Sequence, residues 1–132
     1  MKYLLLVYSS EPDRWEHPIF LRQPAFRAMP PAEREAFVRQ SEELRAEIIG
    51  SGELVSGTAL ADPVLTRSVQ VQDGAPVITD GPFLEAKEEL AGYFVLDCPS
   101  RDRVEEIAAR FPDVRFGRVE IRPIMETSGR EM

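Results

Sequence analysis

The sequence predicts an α+β domain whose elements run β-α-β-β-α-β. Two apolar runs, residues 3–8 and 91–98, are short and continuous enough to be strands buried on both faces. Two segments, after Pro31 and after Ser100, carry apolar residues at helical spacing. An Asp73-Gly74 pair stands between two alternating stretches, which is the signature of a β-hairpin.

Tyr3-Leu4-Leu5-Leu6-Val7-Tyr8 reads as the first strand. Residues 9–31 read as one long irregular, proline-rich loop, and loops of that length in compact domains are often functional. Pro30 and Pro31 open a helix, because proline fits the first helical position, where its missing N–H is unpaired anyway. Phe37, Ser41, Leu44 and Ile48 follow on one face. Gly50 and Gly52 end the helix, since glycine accepts the left-handed conformation of a helix C-terminus. Residues 53–60 form a short strand weakened by Gly57, and Asp62-Pro63 turns the chain.

From Leu65 the pattern alternates, with Leu65, Val69 and Val71 on one side and Thr66, Ser68, Gln70 and Gln72 on the other. Asp73-Gly74 then leads into Ala75-Pro76-Val77-Ile78, and Asp80-Gly81-Pro82 breaks the run. Residues 91–98 give another doubly apolar strand. Ser100 caps a second helix, which buries Val104, Ile107, Ala108 and Phe111 and stops at Pro112. Residues 117–124 form a last strand, with Val119 and Ile121 inward and Arg118, Glu120 and Arg122 opposite. The polar tail from Glu126 is expected to be loose.

This is the ferredoxin-like order, with an extra hairpin arm, in a single domain spanning residues 1–132. Two helices cover one face of its sheet. The strands at 3–8 and 91–96 are apolar on both, so the second face needs cover as well. A symmetric homodimer packing sheet on sheet supplies it. The alternative cover is the 9–31 loop, with Trp15, Phe20 and Phe26.

The bulk numbers narrow the function. Sixteen basic residues stand against 23 acidic ones, a net charge of −7. That disfavours nucleic acid, which is bound by cations neutralising phosphates, and it disfavours anionic membrane surfaces. A single cysteine, Cys98, allows no internal disulfide and fits a reducing, cytoplasmic setting. The apolar run near the start is too short for a signal peptide or a membrane span. One histidine and one cysteine cannot build a His-rich or Cys-rich zinc site; a carboxylate site for magnesium stays open, nothing in the spacing demands one, and no cofactor is expected.

Several residues offer chemistry. Asp80, after a strand and before a Gly-Pro turn, fits a general base or a ligand-holding carboxylate, or else an Asx-type turn. Glu85, Lys87 and Glu88 follow it, either as a carboxylate pair beside a cation or as a solvated charged surface. Phe83 fits a pocket wall or core. His17, in Trp15-Glu16-His17-Pro18, titrates near neutral pH and suits a loop that folds as a lid; lone loop histidines are more often plain surface. Tyr8 and Tyr93 can present phenols to a cavity or sit in the core, and Arg122 can bind a carboxylate or pair across a dimer surface. Cys98 has no basic neighbour in sequence and reads as inert.

The stretch Asp80-Gly81-Pro82-Phe83-Leu84-Glu85-Ala86-Lys87-Glu88, followed by Leu90-Ala91-Gly92-Tyr93-Phe94, resembles the DGPF branch of the YCII-related superfamily. Met1-Lys2-Tyr3-Leu4-Leu5-Leu6-Val7-Tyr8, Asp73-Gly74 and Val119-Glu120-Ile121-Arg122-Pro123 extend the resemblance along the chain. It implies a dimeric α+β barrel of ferredoxin-like protomers. For activity, relatives in the wider superfamily resemble lyases or isomerases that act on small ring lactones or chlorinated hydroquinones through a His-Asp pair. The expected function is therefore a small-molecule-binding protein, in its most concrete form an acid–base lyase or isomerase. The alternative is a non-catalytic regulatory partner linked to sigma factors and transcription, without direct DNA binding. Asp80, His17 and Glu85 are the candidate catalytic residues; Tyr8, Phe83, Lys87, Glu88, Tyr93 and Arg122 are candidate ligand contacts. The sequence departs from the pattern in having no histidine on a barrel strand or helix, and in placing Leu84 and Ala86 where the motif more often has Ala and Thr.

Overall fold

The structure is a computed structural model that describes residues 1–10, 15, 19–81 and 88–125. Strand β1 (Lys2–Ser10) leads through a 3-10 turn (Ile19–Arg22) and a one-turn helix α1 (Pro24–Arg27) to the long helix α2 (Pro31–Gly50). Strand β2 (Leu54–Ala59), a 3-10 turn (Pro63–Leu65), and strands β3 (Arg67–Gln72), β4 (Ala75–Asp80) and β5 (Glu88–Asp97) follow. Helix α3 (Arg101–Arg110), a 3-10 turn (Pro112–Arg115) and β6 (Gly117–Pro123) come last. The main sheet is antiparallel with order β2-β5-β1-β6, while β3 and β4 pair with each other in a separate ribbon. With the ribbon set aside, the order is βαββαβ, the ferredoxin-like arrangement expected from the sequence.

The local signals act as their chemistry requires. Pro31 occupies the first turn of α2, and the Ser100 hydroxyl accepts the Arg103 N–H at 3.1 Å to cap α3. Asp73 (φ 51°) and Gly74 (φ 80°) both take left-handed conformations, so the hairpin turn is type I′. Gly117 pairs with Ser9 where any Cβ would collide with the Tyr8 carbonyl, so only glycine lets β6 close onto β1 there. The structure also differs from expectation in three segments. Leu65, expected to begin the alternating stretch, ends a 3-10 turn that the Asp62 side chain caps, and β3 starts at Arg67. Strand β5 begins at Glu88 rather than 91, because β1 continues to Ser10 and gives those residues a partner. The loop at 9–31 contains a 3-10 turn and a short helix.

Register separates the two faces of the sheet. Tyr3, Leu5 and Val7 are fully buried and alternate with half-buried Leu4, Leu6 and Tyr8. Leu5 lies between Phe94 and Ile121, whereas Leu6 lies between Tyr93 and Glu120. The pairing of β1 with β5 slips between Val7 and Tyr8, leaving Ala91 without a counterpart. This bulge keeps Ala91 buried and still returns Leu90 opposite Tyr8.

The helices cover the Tyr3–Leu5 face. Leu44 and Ile48 of α2 and Val104, Ile107 and Ala108 of α3 join Tyr3, Leu5 and Leu96 in one core. Each large aliphatic side chain there contributes about 2 kcal/mol. Phe20, Phe26, Phe37 and Phe116 form a ring cluster with centroids 5.3 to 6.3 Å apart. Trp15 packs against Val7, Ile19 and Ala91. The described aromatic residues of the long loop therefore turn to the helix side and leave the Leu4–Leu6 face open. No helix among the described residues is long and apolar enough to cross a membrane.

One ion-pair network ties the covering layer together. Arg103 on α3 grips both Glu53 oxygens at 2.8 Å, ahead of β2, and reaches Glu47 on α2 at 3.2 Å. Ser51 donates to Glu53 at 2.7 Å. The Arg103 hydrogen bonds hold the Glu53 carboxyl down at about 2, against an ordinary 4.5. A depressed carboxylate stabilises the fold above its unfolded pKa, and that stability drains away as pH falls from 4.5 towards about 2. Glu53→Gln is expected to cost about 2 kcal/mol at pH 7, and to flatten the loss of stability between pH 4.5 and 2, in urea titrations across that range.

Candidate functional site

The open sheet face has an apolar part and a polar end. Leu4 and Leu6 of β1 stand opposite Val95 and Tyr93 of β5, and Leu90 stands opposite Tyr8. Arg118, Glu120 and Arg122 of β6 lie on the same face by alternation. At the polar end Arg118 crosses β1, with its guanidinium 4.3 Å from the Tyr8 ring centroid. It donates to Glu88 on the far strand at 2.7 Å and pairs with Glu120 at 2.8 Å. Burial, and then a hydrogen bond to Glu120, raise the Tyr8 pKa and keep the phenol protonated. This end thus offers a phenol, two carboxylates and a guanidinium in mutual contact, a set that can orient a polar ligand or relay a proton.

The structure brings four of the candidates from the sequence onto this face: Tyr8, Glu88, Tyr93 and Arg122. Glu88 and Tyr8 share Arg118 as a partner. Asp80 is not among them. It ends β4 on the separate ribbon, is 87% exposed, and pairs with Arg67 at 3.3 Å. Gly81 is pinned to the same ribbon: its N–H donates to the Thr66 carbonyl at 2.7 Å, and its own carbonyl accepts the Ser68 hydroxyl at 2.9 Å. Glu88 stands at the polar end of the open face. Candidates His17, Phe83, Glu85 and Lys87 lie outside the described residues. Among the described residues no group of three His, Cys, Asp or Glu side chains gathers as metal ligands would. Cys98 is buried, and burial together with the Glu53 charge pushes its thiol up to about 11, so it is unreactive.

Sequence reasoning passed over two groups. Arg118 was placed opposite Val119 and Ile121 by alternation but not singled out; its position across from Tyr8 is a matter of register, which strand pattern alone does not give. Asp113 follows Pro112 in what looks like an ordinary polar turn after a helix, yet its side chain is 7% exposed. Its Oδ1 has no hydrogen-bond partner among the described residues. Burial pushes its carboxyl up to about 6, against an ordinary 3.8, although a hydrogen bond from its own backbone N–H, and then the nearby Arg22 charge, pull it down.

The YCII-related domain family model matches residues 1–128 of the chain. The chain is also similar to an uncharacterised protein of Rhizobium meliloti (strain 1021), 27% identical over 94 residues, which cover 70% of this chain and 76% of that protein.

Asp113 carries a pH signature of its own. Its proton is held more tightly when folded, so the chain loses stability as pH rises from 3.8 to about 6. Asp113→Asn is expected to stabilise the protein at pH 7 by on the order of 2 kcal/mol, with the gain vanishing near pH 4, in thermal melts at both pH values.

Proposed function

The chain belongs to the YCII-related domain family, and on that premise we propose that it is a homodimeric, single-domain small-molecule-binding protein with acid–base chemistry of the lyase or isomerase type. The observation that carries the reading is the open sheet face. Leu4, Leu6, Leu90, Tyr93 and Val95 form an apolar strip on the central strands with no layer over it among the described residues. A second copy related by a two-fold axis covers the strip with the same strip, which needs no other partner.

The pocket of this reading lies at the polar end of the seam. Tyr8 and Glu88 hold the ligand there, together with Phe83 and Lys87, while Tyr93 and Arg122, opposite Leu6 and Leu4, meet it further along the same face. Asp80, Glu85 and His17 move its protons. The ribbon that carries Asp80 packs little in a single copy, leaving Val69, Val71 and Ile78 mostly exposed. The reading therefore sets the ribbon against the partner's open face, so that each site is completed by the other chain. Proton transfer on a small carbonyl or lactone compound is the reaction such carboxylate and phenol groups suit.

Two measurements check this. Light scattering at micromolar concentration is expected to give twice the 14.9 kDa chain mass. Leu6→Asp, with its far-UV spectrum retained, is expected to give the single-chain mass; a single-chain mass for the unaltered protein sinks the dimer. A thermal-shift screen of small lactones and carbonyl compounds is expected to find ligands whose shift is lost in Asp80→Asn. Equal shifts in both proteins remove Asp80 from the site.

A further inference from the structure

We infer that the chain holds a second ligand site on the helix side of the sheet: the cavity under α2, which takes a small carboxylate with an apolar ring, the ring inside and the charge at the mouth on Arg45. The cavity measures about 240 Å³. Leu44, Ile48, Leu54, Phe94 and Phe111 make its apolar walls. Close-packed interiors seldom leave a space of this size, and it suits a one-ring molecule of about ten nonhydrogen atoms.

Helical spacing puts the parts in place. Ser41, Leu44, Arg45 and Ile48 fall on one stripe of α2, and all four line the cavity. Leu44 and Ile48 are buried, whereas Arg45 is solvent-exposed. The other exposed residues of the lining are Gly57, Thr58 and Ala59 on the edge strand β2, and with Arg45 they mark the mouth. Gly57 brings no side chain into the space; a Cβ there would come within 2.5 Å of the Phe94 ring. The Leu60 N–H donates to the Ala91 carbonyl on β5. By alternation Thr58 also turns its backbone to β5, and the N–H groups of Gly57 and Ala59 point off the open edge of the sheet.

Charge decides which ligand enters and which way round. Arg45 makes no hydrogen bond or ion pair among the described residues. Arg67, Arg103, Arg110 and Arg118, by contrast, are each held by a carboxylate. A guanidinium and outward backbone N–H groups at one mouth are donors without acceptors, which a carboxylate supplies. Asp113 is the acidic residue of the lining and is buried with the walls. It repels an anion inside, and burial strips a charge of its hydration, so the ligand's charge stays at the mouth while its ring covers the walls. A cationic ligand meets Arg45 as a like charge on entry.

A charge series on one ring tests this by titration calorimetry on the full chain. The probes are phenylacetate, phenylacetamide, phenethylammonium and acetate. Phenylacetate is expected to bind about tenfold tighter than the amide, and the ammonium more weakly than both. Acetate, which has the charge and no ring, is expected to give no heat at millimolar concentration. Added salt is expected to shrink the acid's advantage, because the mouth is exposed. In Arg45→Gln acid and amide are expected to bind equally, with the amide's affinity unchanged. Ser41→Trp, which fills the cavity from α2, is expected to abolish binding of both with its circular dichroism unchanged. Leu6→Asp, on the opposite face of the sheet, is expected to bind phenylacetate like the unaltered chain. The proposal is overturned if phenylacetate gives neither heat nor a thermal shift at millimolar concentration, if the ammonium binds as tightly, or if Arg45→Gln still prefers the acid. It is also overturned if folded Ser41→Trp binds phenylacetate like the unaltered chain, or if folded Leu6→Asp does not.

Discussion

Two helices can cover one face of a four-stranded sheet, and β1 is apolar on both. That imbalance governs the rest of the molecule. Tyr3, Leu5 and Val7 are satisfied within the chain, because α2 and α3 lie over them. Leu4 and Leu6 occupy the same strand, one residue out of step, and receive no such layer among the described residues. A one-residue slip of β1 would exchange the two sets, so the pairing register is held by every side chain of the strand at once. The bulge at Ala91 shows how strictly: β5 accommodates an extra residue rather than let Leu90 leave its face.

The covering layer depends on this register and also reinforces it. Arg103 reaches Glu53 and Glu47 together, so α3, the entry to β2 and the end of α2 are joined at one guanidinium. A bidentate guanidinium–carboxylate pair fixes angle as well as distance, which a purely aliphatic contact does not. Asp113 stands in contrast. Glu53 is satisfied by donors on two sides and stays ionised, whereas Asp113 has one buried oxygen unmet and holds its proton more tightly. Two carboxylates in one small fold are thus driven in opposite directions by their surroundings, one by its donors and the other by burial.

The fold could be read from the sequence where local chemistry is decisive. Asp73-Gly74 demands its turn, Pro31 and Ser100 mark helix starts, and the uniformly apolar β1 and β5 declare central strands. Pattern gave the faces of β6 as well. It did not give what each face meets. Tyr8 and Glu88 are 80 positions apart, and Arg118 bridges them through a register set by long-range pairing. Asp113 is polar, follows a proline and looks like surface; only the packing of the 3-10 turn buries it. The Asp80-Gly81-Pro82-Phe83 segment stands out as a motif in the sequence, and its first two residues are tied to the ribbon.

The β3–β4 ribbon also bears on how the chain folds. Strands β2 and β5 are neighbours in the sheet, yet Ala59 pairs with Gly92, so their meeting closes a loop of about thirty residues. The ribbon sits inside that loop and forms from local contacts around a type I′ turn, on the microsecond scale of isolated hairpins. Once Arg67 faces Asp80, the intervening stretch no longer contributes slack, and the span left to close is shorter. The entropy saved is about half a kcal/mol. The early hairpin thus draws the edge strand towards the centre of the sheet before the helices have packed over it.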